Sequence, residues 1–224
     1  MVYARRRYLY TVIVVLSNAS YGMNGTDDFN RRFEKMDKRK LEIFVDTHLQ
    51  LCEACEDDAG TIYRAIDLYR EDLRRWLPFV DGLHSVAEEK DFLSGLCAEA
   101  PEVRNYTFKI LFDDFFCGLV GFVLTDTVNR KTEIGYWLLP EFRGRGIMSR
   151  CVARLCLWAF DVRTMNRVQI KCAVGNLSSN AIPRRLGFRL EGVERAGEYA
   201  GEGRYYNLNV YSLLAQERDN LLEL

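Results

Sequence analysis

The residues with the clearest chemical potential run from Arg143 to Met148: Arg143, Gly144, Arg145, Gly146, Ile147, Met148. Two glycines remove the Cβ atoms that hold a ligand away from the backbone, and two arginines put positive charge beside them. An apolar run over 136–139 leads into this string and a helical pattern leads out of it. Successive N–H groups converge at such a strand–turn–helix junction, and the helix start adds unpaired donors, an arrangement suited to a pyrophosphate. The same string occurs in surface turns and RNA-binding tails, so its neighbours decide its meaning. About thirty residues on come Asn176-Leu-Ser-Ser-Asn180, Leu186-Gly-Phe188 and Glu191-Gly192. Alone they read as an N-capped helix closed by glycine; in combination with the Arg/Gly turn they become a second half of a site.

These residues must be positioned by a framework, and the periodicity supplies one. Residues 41–52 read as a strand interrupted by a polar turn. From Gly60, apolar residues at Ile62, Ala65, Ile66, Tyr69, Leu73, Trp76 and Leu77 fall on one helical face that Pro78 ends. Ser85-Val-Ala-Glu88 is a capping box opening a second helix that stops near Pro101. Residues 106–112, 116–125 and 132–139 are β-branched and aromatic, separated by polar breaks, and predict an antiparallel meander. A helix follows over 146–160, then a strand through Val168, Ile170, Cys172 and Val174, a short helix over 178–186, and two strands over 188–193 and 205–214. The order predicts an α/β fold with helices on both faces of one sheet. Residues 194–205 are left as a Gly-rich loop.

At 224 residues the chain suits one domain, possibly with an appendage, and 48% hydrophobic content is ample for a core. A net charge of −1 gives no global field to recruit nucleic acid or an acidic membrane, so neither partner is expected. The seven cysteines are scattered and odd in number; Cys117, Cys151, Cys156 and Cys172 sit in apolar segments and read as small buried hydrophobes. Cys52 and Cys55 have redox or metal spacing, but no second pair exists and His48 is the only nearby histidine, so no metal is expected. Reduced thiols and a cytoplasmic setting follow. The first 39 residues are the awkward part. Three arginines precede an apolar run over 8–16 and small residues, which mimics a secretory signal but is too short to span a bilayer. Residues 1–39 are read as a flexible leader outside the core, with a start at Met36 as a further reading, and 40–224 as the domain.

Several motifs in order resemble the GNAT superfamily of acyl-CoA-dependent N-acetyltransferases. Arg143-Gly-Arg-Gly-Ile-Met148 is similar to its (Gln/Arg)-x-x-Gly-x-(Gly/Ala) pyrophosphate loop, with Met148 in place of the last small residue. Thr132-Glu-Ile-Gly-Tyr-Trp-Leu138, Asn176-x-x-Ser179, Leu186-Gly-Phe-x-x-Glu-Gly192, Tyr211-Ser-Leu-Leu214 and the stretch Asp72–Asp81 resemble the Rim-type, ribosomal-protein branch. The resemblance spans roughly 41–214. It implies a GNAT-like mixed, mostly antiparallel twisted sheet with a splayed central strand pair, and acetyl-CoA as co-substrate without a metal. It implies that Leu138 and Leu139 offer backbone to the pantetheine arm, that Arg143, Gly144, Arg145, Gly146, Ile147 and Met148 receive the pyrophosphate, and that Asn176 bonds the arm. Ser179 would stand near the thioester sulfur as proton donor.

The implied chemistry is direct transfer to a primary amine. The amine must lose a proton to a base, and the oxyanion needs a donor, for which an N–H near Leu138 is the candidate. For the base, Glu133 at the start of the central strand is put forward, with Glu198 and Glu202 in the Gly-rich segment as the other candidates. Asn207 stands where the branch often carries an acid. The expected acceptor is a protein N-terminal α-amine, because its reference pKa of about 8 lies below the ~10.4 of lysine. A small-molecule amine or a non-catalytic acyl-CoA-binding module is the alternative, and the expected assembly is a monomer or homodimer. Trp76 and Trp158 read as core, Trp137 as touching the acceptor pocket, and Arg70, Arg74 and Arg75 as a solvated face.

Overall fold

The computed structural model describes residues 41–221, and the leader expected over 1–39 lies outside them. The strands are β1 (Glu42–Phe44), β2 (Leu49–Glu53), β3 (Thr107–Phe112), β4 (Phe115–Asp126), β5 (Lys131–Leu138), β6 (Arg167–Ala173), β7 (Arg189–Gly201) and β8 (Arg204–Leu214). The helices are α1 (Ala59–Leu68), the one-turn α2 (Arg70–Leu73), α3 (Val86–Cys97), α4 (Ile147–Asp161) and α5 (Leu177–Arg185). All eight strands form one sheet in the order β1-β2-β3-β4-β5-β6-β8-β7, and only β5–β6 is parallel. This is the mixed, mostly antiparallel sheet that the resemblance implied.

Alternation along the strands divides the core in two. Val120, Phe122 and Ile134 face one side, where α4 buries Ile147, Val152, Leu155 and Trp158 against them. Leu119 and Trp137 face the other, where α1 and α3 contribute Ile62, Ile66 and Leu93. Strand period two meeting helix period 3.6 thus gives helices on both faces, as expected. The helix expected from Gly60 to Leu77 is interrupted at Tyr69, whose φ of −110° and ψ of 21° leave the helical region. Past this break, Arg70 donates to the carbonyls of Val80 and Leu83 and ties the following turn back. At α3, Ser85 Oγ accepts from the Glu88 N–H at 3.2 Å, but Glu88 returns its carboxylate to His84 N rather than to Ser85, so the box is offset by one residue.

The 194–205 loop expected from its glycines is instead a hairpin. β7 runs on through Gly201, and Glu202-Gly203, both at positive φ, make a two-residue turn into β8. Glycine and asparagine allow this turn conformation without disrupting the flanking strands. Register shifts between Glu194 and Glu198 absorb the irregular composition, and the Asn207 carboxamide accepts from Ala196 N at 2.8 Å to hold the bulge.

Candidate active site

β5 and β6 pair only from Lys131/Arg167 to Ile134/Ile170. Beyond that point β5 stays with β4 as far as Leu138, while β6 stays with β8 as far as Ala173. The two strands part, and a cleft of about 1410 Å³ opens between them. Gly118 lets β4 hold β5 on its side: at φ +153° its backbone comes so near that a Cβ would lie 2.3 Å from the Trp137 carbonyl. On the other side a buried amide holds β6. Asn180, 1% exposed, donates to the carbonyls of Ala173 (2.9 Å) and Asn176 (2.7 Å) and accepts from Asn209 Nδ2 (2.6 Å) and the Tyr211 hydroxyl (2.9 Å). All four bonding positions of that carboxamide are used, so the end of β6 and the start of α5 move as one piece with β8.

One end of the cleft is the turn into α4. Gly144 and Gly146 take left-handed φ values of +77° and +70°, and open space surrounds the place where a side chain would stand on either. No side chain caps α4 at Gly146, so the first-turn N–H groups face the cleft without a competitor. This cradle fits the diphosphate of a coenzyme. Of the residues put forward for the cofactor, Leu138, Arg143, Gly144, Gly146, Ile147, Met148 and Asn176 line the cleft; Leu139 and Arg145 do not. Leu139 is buried in the core beneath α1 and α3, its N–H donated to Cys117 O at 2.8 Å. The Arg145 guanidinium lies over the Phe142 ring at 5.6 Å. Arg143 is bound on two sides, to Leu138 O through Nε (3.1 Å) and to the Asp72 carboxylate through both terminal nitrogens.

Midway along the cleft, Ser179 Oγ lies 3.2 Å from the Tyr136 hydroxyl and 3.1 Å from Cys172 Sγ. Tyr136 donates to the Ser179 carbonyl at 3.1 Å. Burial pushes the Tyr136 phenol well above its usual value and the Cys172 thiol up to about 11, so both stay protonated at neutral pH. Cys172 is therefore a poor nucleophile here; the Tyr136 proton is given to the Ser179 carbonyl, and the Ser179 hydroxyl has Tyr136 and Cys172 as acceptors. Tyr136 carried no separate signal in the sequence; its role comes from the parting of β5 and β6, which leaves it facing α5. Asn176 caps α5, its Oδ1 accepting from Ser179 N at 3.1 Å, which fixes the serine.

The other end is built from carboxylates. Glu133 Oε2 accepts from Gln169 Nε2 at 2.9 Å and lies 3.6 Å from Lys171 Nζ, which also pairs with Glu194 at 2.9 Å. Burial alone would pull the Lys171 ammonium down, but Glu194 and Glu133 outweigh it and raise it. Glu198 projects from β7 into the same space. Burial first, and then the charge of Glu133, hold its carboxyl at about 7, against the opposing pull of Lys171. Glu202 is elsewhere: it sits on the hairpin tip, 85% exposed in its side chain, beside Arg204. Trp76 is not core either. It is half-buried at the mouth of the cleft, 5.8 Å from the Tyr206 ring and 5.1 Å from the Arg75 guanidinium, with Gly175 beneath it. Its helical spacing matched a core position, but α2 ends before it and the turn swings it outward. Trp137 lines the cleft as expected. Among the described residues, no group of three or more metal-binding side chains assembles, and no helix is long and apolar enough to cross a membrane.

The family model of the acetyltransferase (GNAT) domain matches residues 48–189. The chain is a GNAT acetyltransferase. This acetyltransferase is 33% identical over 174 residues to a putative ribosomal N-acetyltransferase, YdaF, of Bacillus subtilis (strain 168), an alignment covering 77% of this chain and 94% of the relative. It is 27% identical over 170 residues to the ribosomal-protein-serine acetyltransferase of Escherichia coli (strain K12), covering 76% and 94%. Among solved structures, RimL, a ribosomal L7/L12 alpha-N-protein acetyltransferase in complex with coenzyme A, superposes with a TM-score of 0.73 at 28% identity, covering 77% of this chain and 97% of that one. The acetyltransferase is accordingly an acyl-CoA-dependent enzyme of the Rim-type branch.

Proposed function

We propose that this enzyme transfers the acetyl group of acetyl-CoA to the N-terminal α-amine of a protein, with a ribosomal protein in the cytoplasm as the leading acceptor. The observation that carries the reading is the cleft itself: an uncapped glycine turn at one end, a carboxylate held near neutrality at the other, and the parted β5–β6 pair between them. Bound acetyl-CoA would supply an activated carbonyl and a thiolate leaving group. The amides from Gly144 to Met148 would hold its diphosphate, the Arg143 N–H being given to the Pro140 carbonyl, and the β5 backbone up to Leu138, with Asn176, would hold its pantetheine arm. Ser179 would give its hydroxyl proton to the departing sulfur.

For the base we favour Glu198 over Glu133. Glu133 is already engaged by Gln169 and Lys171, whereas Glu198 titrates at about 7 and can take a proton near physiological pH. A base of that strength is nearer in pKa to an α-ammonium, at about 8, than to a lysine, at ~10.4. Three carboxylates (Glu133, Glu194, Glu198) against one ammonium (Lys171) give this end an attraction for a cationic acceptor. When the purified enzyme is given acetyl-CoA and a peptide with a free N-terminal serine, free coenzyme A thiol is expected to appear as the peptide gains one acetyl group on its α-nitrogen. Glu198→Gln should lower kcat about 10²- to 10⁴-fold, while Glu133→Gln keeps a measurable rate with its acid limb moved to lower pH. Parental activity in Glu198→Gln, with loss in Glu133→Gln, returns the base to Glu133. Coenzyme binding without turnover on any peptide, lysine side chain or polyamine makes the protein a non-catalytic acyl-CoA module.

A further inference from the structure

Cationic side chains strengthen the hold of an amide cradle on a diphosphate, and the two arginines of the turn are committed elsewhere. Arg143 holds Asp72 and Leu138 O, and thereby ties α2 to the start of the turn. Arg145 lies on Phe142, outside the lining of the cleft. The cation that does reach the start of α4 comes from the far side. Arg185, the last residue of α5, lines the cleft and donates from Nη1 to Ser149 Oγ at 2.6 Å, and Ser149 is the third residue of α4. Among the described residues no carboxylate pairs with Arg185, in contrast to Arg143, Arg150 and Arg167. Its neighbour Arg184 turns instead to the Tyr211 hydroxyl at 3.1 Å. A guanidinium has five N–H donors in a fixed fork, and the Ser149 bond uses one.

On the footing of the acetyl-CoA reading, we propose that Arg185 is the side chain that grips the coenzyme's diphosphate, facing the α4 amides across the cleft, and that Arg143 shapes the wall instead. Charge-assisted donors flanking the amides from a second helix would close the anion on two sides. The same contact bonds α5 to α4, so the element carrying Asn176 and Ser179 is tied to the helix whose amides would face the diphosphate.

Calorimetry with coenzyme A, dephospho-coenzyme A and phosphate-free pantetheine separates the roles. Arg185→Gln should weaken coenzyme A and dephospho-coenzyme A alike by about tenfold or more, flatten the salt dependence of both, and leave pantetheine unchanged. Arg185→Lys, which keeps the charge but not the fork, should recover part of the loss, and competition by inorganic pyrophosphate should weaken in the same order. Equal losses on all three ligands would mark a packing role and overturn the proposal. A loss confined to coenzyme A would move Arg185 to the 3′-phosphate, and no loss would remove it from the site. A folded parent that binds none of the three overturns the acetyl-CoA reading and this assignment with it.

Discussion

The two ends of the cleft present charge by opposite means. At the end proposed for the coenzyme the groups on offer are mainly backbone amides, freed by Gly144 and Gly146 at left-handed φ and by a helix with no capping side chain. At the end proposed for the acceptor they are side chains from three strands, Glu133 on β5, Lys171 on β6 and Glu194 and Glu198 on β7, with Lys171 and Glu198 shifted by their neighbours. Backbone recognition is compact in sequence, because adjacent amides converge only when the residues are consecutive. Side-chain recognition is compact in space and scattered along the chain. The first can vary little without losing its ligand; the second can be retuned one charge at a time.

A second carboxyl raised to about 7 shows what placement does to the same titration. Burial alone raises Glu89 of α3 to about 7, as high as Glu198, but Glu89 is 3% exposed and its Oε1 has no hydrogen-bond partner. A carboxyl whose folded pKa lies above its unfolded value of 4.5 contributes stability that is present below 4.5 and lost as pH rises through about 7. Glu89→Met is therefore expected to stabilise the enzyme at pH 8 by about 3 kcal/mol, with the gain shrinking as the pH approaches 4, and to leave the pH profile of kcat/KM in place. Denaturant titrations at the two pH values check it. A displaced rate profile would mean that Glu89 reports on the active site and that the two carboxylates are coupled.

The keystone common to both ends comes next. Asn180→Leu leaves Asn209 and the carbonyls of Ala173 and Asn176 without their buried partner, at about 1–3 kcal/mol. The expected result is a melting temperature lower by several degrees, with coenzyme affinity and kcat both reduced because β6 and α5 lose their anchor. An effect on one end alone would show that the ends are held independently.

How much of this could be read from the sequence follows the same division. The meander and the position of α4 were legible because each rests on local period and on breaks such as Pro78 and Asp113-Asp114, whereas the order β6-β8-β7 at the end of the sheet rests on long-range pairing. The Arg/Gly turn into α4 was legible as a string. Trp76 was misplaced because helical spacing persists past the residue where the helix ends. Residues 194–205 were misread because three glycines there serve a bulge and a hairpin turn, which composition alone does not separate from a loop. Tyr136, Lys171 and Arg185 gave no signal, since their significance lies in what faces them across the parted strands. The engagement of Arg143 with Asp72, seventy-one residues away in the chain, was equally invisible.

Gly146→Ala isolates the coenzyme end. Forcing a Cβ into the left-handed region costs about 1–2 kcal/mol, and the methyl group enters space open to the ligand. Acetyl-CoA affinity should fall about tenfold at unchanged pH dependence, measured by calorimetry and by the KM for each substrate. A change in acceptor KM of the same size would deny that the ends are separable.

Lys171→Met isolates the acceptor end and is the most discriminating of the set, although its effect is the smallest. Lys171 is the one positive charge that holds the Glu198 carboxyl down, while burial and Glu133 raise it. Removing the ammonium leaves both raising influences unopposed, so the acid limb of kcat/KM should move to higher pH by a fraction of a unit. Glu133→Gln removes one of the raising influences and should move the limb the other way. Because the two substitutions alter the same titration with opposite sign and touch no coenzyme contact, acetyl-CoA affinity should be the same in both. Limbs that shift together, or a limb indifferent to both, would show that the group titrating in the rate is not Glu198, whatever the cleft around it does.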